Sequence, residues 1–367
     1  MEDREARHRL ARTLVKRFRQ VLMGSVLVYG FGLLVLVFLM KQVGERNLTT
    51  AFFLYLPPAI WFPPLVALGG LGLLFYRKAL LVALLLGALA FLQFFGWQFG
   101  GGDRSEQQGA SSSDSLSVLT YNRGQRGRTS LRPFMHAQDP DLVVLQIAGK
   151  KASSYLKAKG YAAYTHGRSI GEFTLLSRYP ILGERLLEFD RGERTHGFAA
   201  RFEVDWQGKK VAVYAVHLPT PRDLLLWYRK GAFLYGVLGF PGSPLAARRA
   251  QYQEFWDGQI AMTQQLLDAI REDPLPALVA GDFNAPSLGY IQKLLSRQLV
   301  DAHEEAGRGS GFTFPGYTRN PLSLGGPWMR LDYLLASRDW QAQWCVTESG
   351  RRSQHQAVAA GFRLSAD

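Results

Sequence analysis

A block of almost uninterrupted hydrophobicity near its start is what most constrains this 367-residue chain. Val21–Met40 is a twenty-residue run without a charge; as a helix it would extend about 30 Å, the depth of a bilayer's hydrocarbon core. Ala51–Phe75 and Ala79–Phe99 are also uncharged, and only Tyr76, Arg77 and Lys78 part them. Three such runs in succession suit lipid better than a soluble core, so a three-span transmembrane region over residues 21–99 is expected. A cleaved signal peptide does not fit, because its apolar stretch would run only about 7–15 residues. Pro57, Pro58, Pro63 and Pro64 remove backbone donors inside the second run, which should be kinked or broken there. Seven Lys and Arg precede Val21; under the positive-inside rule residues 1–20 form a basic cytoplasmic tail. Three crossings then place residues 100–367 outside the cytoplasm, in a protein integral to a bacterial inner or plasma membrane.

Residues 100–115 are polar and rich in Gly and Ser, the composition of a flexible linker, and a domain over 116–367 follows. Much of the formal net charge of +13 lies in that domain, which favours anionic partners. The single cysteine, Cys345, forbids an intramolecular disulfide. Apolar runs with strand character recur at Leu116–Tyr121, Leu142–Gln146, Phe173–Ser177, Phe198–Val204, Lys210–His217, Ala277–Ala280, Leu331–Ala336 and Ala357–Leu364. Helical patterns cover Gln251–Ile270 and Leu288–Leu299. Strands interspersed with helices point to packed layers of sheet and helix.

The tetrapeptide Gly281-Asp282-Phe283-Asn284 ends one of these runs and puts a carboxylate and a carboxamide at a strand mouth. Alone it reads as a turn. Five further segments, SVLTYN (117–122), DLVVLQ (141–146), VYAVHL (213–218), RLDYLLAS (330–337) and SQHQAV (353–358), stand with it in an order that resembles the endonuclease/exonuclease/phosphatase superfamily over about residues 116–365. The resemblance implies an α/β fold, a four-layer α/β sandwich with its site at one end of two packed sheets. It implies phosphate-binding roles for Asn122 and Asn284, a phosphoryl contact for His217, and a metal or nucleophile role for Asp282. It also implies a general-base pair of His355 and Asp332.

Two positions depart from the family pattern. Ile147 stands where the resemblance implies a metal-binding Glu, and Gln354 where it implies an Asp. A hard dication such as Mg²⁺ or Mn²⁺ prefers carboxylate oxygens, so weak binding is expected, with Asp282 the remaining acidic ligand. Glu172 is read as a surface residue rather than a spatial substitute. Between His217 and the long helix lies an apolar, aromatic insertion, Leu224–Pro244. Its Trp227, Phe233 and Phe240, with Arg229 and Lys230 among them, have the composition of a membrane-interface segment. The expected function is a membrane-anchored phosphoesterase acting on a phosphodiester or phosphomonoester, in a lipid head group by preference over nucleic acid. The alternative is a pseudoenzyme that binds a phosphorylated ligand or a protein partner without turnover, and a nuclease is the third reading.

Overall fold

Alternation along the strands builds the domain. In the computed structural model, which describes residues 2–100, 115–124, 129–149, 151–190, 195–225, 232–317 and 325–365, two six-stranded mixed sheets pack face to face. The strands are β1 (Gln98–Phe99), β2 (Ser115–Asn122), β3 (Leu142–Gln146), β4 (His166–Ile170), β5 (Phe173–Ser177), β6 (Ile181–Asp190), β7 (Thr195–Trp206), β8 (Lys209–His217), β9 (Ala277–Asp282), β10 (Val300–Asp301), β11 (Arg308–Gly309), β12 (Asp332–Ala336), β13 (Trp340–Thr347) and β14 (Val358–Leu364). One sheet runs β10-β12-β9-β8-β7-β6 and the other β13-β14-β2-β3-β5-β4. Each contains one parallel pair, β8 with β9 and β2 with β3.

Even-numbered residues such as Leu116, Val118, Leu142, Val144, Leu278 and Ala280 fill the space between the sheets. Their odd-numbered neighbours Leu119, Val143, Leu145 and Val279 face outward, beneath helices. The domain's helices are α5 (Arg132–Gln138), α6 (Ala152–Leu156), α7 (Arg222–Leu225), α8 (Ala232–Leu238), α9 (Ala246–Arg271), α10 (Tyr290–Gln298) and α11 (Ala302–Ala306), after α1 (Glu2–Gln42), α2 (Leu48–Leu54), α3 (Pro63–Phe75) and α4 (Arg77–Phe95) in the N-terminal part. Met262, Leu266 and Ile270 of α9 and Ile291 and Leu295 of α10 cover one sheet, while Met135, Ala152 and Tyr155 of α5 and α6 cover the other. Two packed sheets flanked by helices are thus observed.

The N-terminal third differs from three uniform spans. Two helices, α1 and α4, are long and apolar enough to cross a membrane. The run 51–75 is not one helix: α2 ends at Leu54, a short 3₁₀ turn occupies Pro58–Trp61, and Pro63 opens the 13-residue α3. The prolines account for the break, since each lacks the N–H that a continuous helix needs, while Pro is tolerated at a helix start. At about 20 Å, α3 is shorter than a hydrocarbon core. It still brings Phe75 beside Phe18 and within a 3.2 Å hydrogen bond of Arg19 Nε, so α4 returns toward the domain. The third run also ends early. Gly96 caps α4 in a left-handed conformation, and Gln98–Phe99 pair with Arg308–Gly309 as a two-stranded sheet. Most of the expected linker, residues 101–114, lies outside the described residues, and Ser115 already belongs to β2.

Candidate functional site

The site residues continue the inter-sheet face one step past its apolar filling. Val213 and Ala215 lead to His217, Leu278 and Ala280 to Asp282, and Val118 and Thr120 to Asn122. On β12 the same face begins with Asp332 and runs into Leu334 and Ala336. Because Asp282 is in register with both His217 and Asp332, these three side chains share one edge of one sheet. Gly281 permits the close strand approach there, since a Cβ would sit 1.9 Å from the Val216 carbonyl oxygen.

Asp282 is the hub. Its Oδ2 accepts from Asn122 Nδ2 at 2.8 Å across the gap between the sheets, and its Oδ1 accepts from the Asn284 amide at 2.8 Å. His217 Nε2 lies 3.9 Å and His355 Nε2 3.6 Å from the same Asp282 oxygen. Each imidazole is held from behind by a second carboxylate: His355 Nδ1 by Asp332 Oδ2 at 2.9 Å, and His217 Nδ1 by Glu172 Oε1 at 2.7 Å. Asn284 takes a left-handed φ of 48°, which Asn tolerates, and donates its Nδ2 to the Leu218 carbonyl at 2.8 Å. In this arrangement the two asparagines therefore brace Asp282 and its loop. Phe314 packs its ring 4.9 Å from that of His355, and Thr313 Oγ1 accepts from the Asp332 amide.

These contacts set the protonation of the imidazoles. Burial alone would lower His355, but the Asp332 and Asp282 carboxylates outweigh it and raise its pKa to about 9. Its proton is therefore retained at neutral pH. His217 moves upward too, against burial, through its hydrogen bond to Glu172 and the charges of Asp282 and Glu172.

Asp282, Asp332 and His355 each offer a ligand atom, all within 4.8 Å of one another, which is the geometry of a group that could hold an ion. Asp332 Oδ1 and Gln146 Oε1 are buried without a hydrogen-bond partner among the described residues, as oxygens awaiting a cation would be. The rest of the donor set falls short of a hard dication's needs. Both His355 nitrogens face carboxylates, and a protonated imidazole cannot ligate. Ile147 has no donor, and the exposed Gln354 offers only a neutral amide. The carboxylates here are balanced by imidazolium, and the residues present do not fit the metal implied by the resemblance.

His217, His355, Asp332, Asp282, Asn122 and Asn284 are thus brought together. Trp227 and the side chain of Phe233 fall outside the described residues, and Phe240 is exposed. Glu172, read from sequence as a surface residue, is the His217 partner; its place in the tight β4–β5 hairpin beside the Gln146-Ile147 turn was the available signal, and only the pairing of distant strands gives it meaning. Ile147 is also unusual in adopting a left-handed φ of 48°.

A search of curated proteins finds no match. Among solved structures, humanized D. rerio TDP2 carrying 14 mutations is similar at 16% identity and a TM-score of 0.46, over 69% of this chain and 100% of that one. Truncated Caenorhabditis elegans TDP2 is 19% identical over 68% and 98% of the two chains, with a TM-score of 0.46. An endonuclease/exonuclease/phosphatase from Beutenbergia cavernae is 18% identical over 69% and 72%, with a TM-score of 0.45. The family model described as Endonuclease/Exonuclease/phosphatase family matches residues 119–355, which hold every one of the converging side chains, and the chain belongs to that family.

Proposed function

We propose that this protein is a membrane-anchored phosphoesterase that hydrolyses a phosphodiester or phosphomonoester in a lipid head group, using two imidazoles as its acid and base. The observation that carries this reading is the convergence of two carboxylate–imidazole pairs, Glu172–His217 and Asp332–His355, on the buried Asp282. Hydrolysis needs a proton delivered to the leaving oxygen and one removed from the attacking water. His355, protonated at neutral pH, is the donor through Nε2 as the phosphorus–oxygen bond breaks. The more accessible His217 takes the water's proton through its own Nε2 once that nitrogen is free. Water protonates the spent acid and accepts from the spent base, which resets the pair. A general-base role for His355 would apply only above about pH 9.

Several features support placement at a bilayer. Val28, Val66, Leu74, Leu81 and Leu85 on α1, α3 and α4 are largely exposed, and so much exposed apolar surface is unusual for a soluble protein. Leu234, Val237, Leu238 and Phe240, in and just after α8, are exposed as well, while Gly236 of α8 accepts a hydrogen bond from Thr49 at 2.5 Å, next to the membrane region. The basic tail favours a cytoplasmic N-terminus and an extracytoplasmic domain. This disposition favours lipid over nucleic acid as substrate.

Turnover of bis(p-nitrophenyl) phosphate and of phospholipid vesicles by the full chain in nanodiscs tests the reading. His355→Ala and His217→Ala should each lower kcat at least 100-fold, and the wild-type rate should fall as pH rises through about 9, where His355 loses its proton. Oligonucleotide cleavage without lipid turnover would refute the lipid assignment. Ile147 and Gln354 favour a second reading, a pseudoenzyme that binds phosphate esters without turnover; an inert wild type that still binds the vesicles' head groups would establish it.

A further inference from the structure

The loop that carries Asp282 and Asn284 is gripped at both ends by the segment joining α1 to α3. At its start, the Tyr55 hydroxyl donates to the Asn284 carbonyl oxygen at 2.7 Å, with both residues buried. At its end, the Glu45 carboxylate accepts from the Tyr290 and Ile291 amides at 2.6 and 3.2 Å, the first free N–H groups of α10. The domain supplies no side-chain cap of its own there, because the N-cap residue is Gly289. A Cβ at that position would lie 2.2 Å from Glu45 Oε1, so a larger residue there would shift the carboxylate from its present place. The helix that follows the loop is thus capped by a residue 245 positions away in sequence.

The gripping segment is itself anchored. Gln253 Nε2 of α9 donates to the Glu45 carbonyl at 3.0 Å, and Arg249 Nη2 to Asn47 Oδ1 at 2.9 Å. Tyr55 packs 5.5 Å from the ring of the fully buried Trp256. Asn284 is held between Tyr55 on its carbonyl, Asp282 on its amide and Leu218 on its carboxamide. Loss of the Tyr55 contact would free one of these three constraints on a residue whose left-handed backbone needs support.

Resting on the phosphoesterase reading of the Asp282 site, we propose that Tyr55 and Glu45 are positioning residues for the Asp282–Asn284 loop, so that the site is complete only while the segment between the N-terminal apolar helices is docked on the domain. Neither residue touches the reacting atoms. Their action is exerted through Asn284 and the start of α10, and the ligand whose turnover they govern is the phosphate ester of the main site.

The test uses full-length protein in nanodiscs, with hydrogen–deuterium exchange of segment 283–291 measured beside kcat and KM for bis(p-nitrophenyl) phosphate. Tyr55→Phe keeps the ring and should speed exchange in that segment about tenfold and lower kcat about tenfold, with KM within twofold of wild type. Glu45→Leu should do the same, while Glu45→Gln, which keeps an acceptor oxygen for the two amides, should restore both readings. Trp340→Phe, a core change far from the loop that lowers overall stability, should leave exchange at 283–291 and kcat at wild-type values. Unchanged local exchange in folded Tyr55→Phe and Glu45→Leu would overturn the proposal, as would a uniform rise in exchange across the domain. A wild type inert toward the ester would overturn the phosphoesterase reading instead, and the exchange data would still decide whether the loop is gripped.

Discussion

Ile147 concentrates what separates this chain from the family pattern. A β-branched side chain at φ 48° is strained, because its Cβ substituents crowd the backbone, and such strain costs on the order of 1–3 kcal/mol. The turn after β3 nevertheless keeps this shape, with the Ala148 amide bonded to the Glu172 carbonyl at 3.2 Å. Ile147→Asn should raise unfolding stability by about 1 kcal/mol, since Asn accepts this conformation and the Ile147 side chain is only half-buried. Chemical denaturation of the full chain checks this, and a loss of stability would mean that Ile147 packing outweighs its strain. The motif spacing made Ile147 and Gln354 visible as departures, but the left-handed backbone was not legible, because nothing in an Ile-Ala-Gly run announces a positive φ at the Ile.

At the scale of elements, β12 is placed by a buried ion pair just before its first residue. Arg330 Nη1 donates to Asp301 Oδ1 at 2.7 Å, and both side chains are almost fully buried. Asp301 also accepts from the His303 amide at 2.9 Å, which caps α11, and from Gln292 Nε2 of α10 at 2.7 Å. One carboxylate thereby ties α10, α11 and the strand bearing Asp332. Arg330→Met should cost about 3–5 kcal/mol by leaving a buried carboxylate without its cation. Adding Asp301→Asn should recover most of that, because Asn keeps the cap and removes the charge. Thermal and denaturant melts of the single and double variants measure it; equal losses in both would show that the Arg330 stem matters more than its charge. Most strands here were legible in sequence, with Leu142–Gln146 and Phe173–Ser177 matching residue for residue, since buried strands read as short apolar runs. The long outer strands β6 and β13 were missed, because charged and polar residues interrupt their apolar pattern.

For the whole molecule, the N-terminal region packs on the domain through Glu45, Asn47 and Tyr55. The C-terminal ends of α1 and α4 meet through Lys41 Nζ and Gln93 Oε1 at 2.5 Å, on the domain's side, while Arg19 and Phe75 meet at the other end. The N-terminus and the domain should therefore lie on opposite faces of a membrane. In intact cells an impermeant thiol reagent should label Lys209→Cys, which is exposed on the domain, and miss Ala6→Cys; native Cys345 is buried and stays silent. The reverse pattern would place the domain in the cytoplasm.

Sequence by itself determined the apolar N-terminal region, the strand runs and the six side chains His217, His355, Asp332, Asp282, Asn122 and Asn284, because periodicity, motif order and residue chemistry are local properties. Only tertiary structure decided that Glu172 supports His217, that carboxylate neighbours shift both imidazoles upward, and that Tyr55 and Glu45 grip the loop beside Asp282. Each of those depends on which distant residues share a low-dielectric space, and burial, unlike composition, is a property of the packed chain.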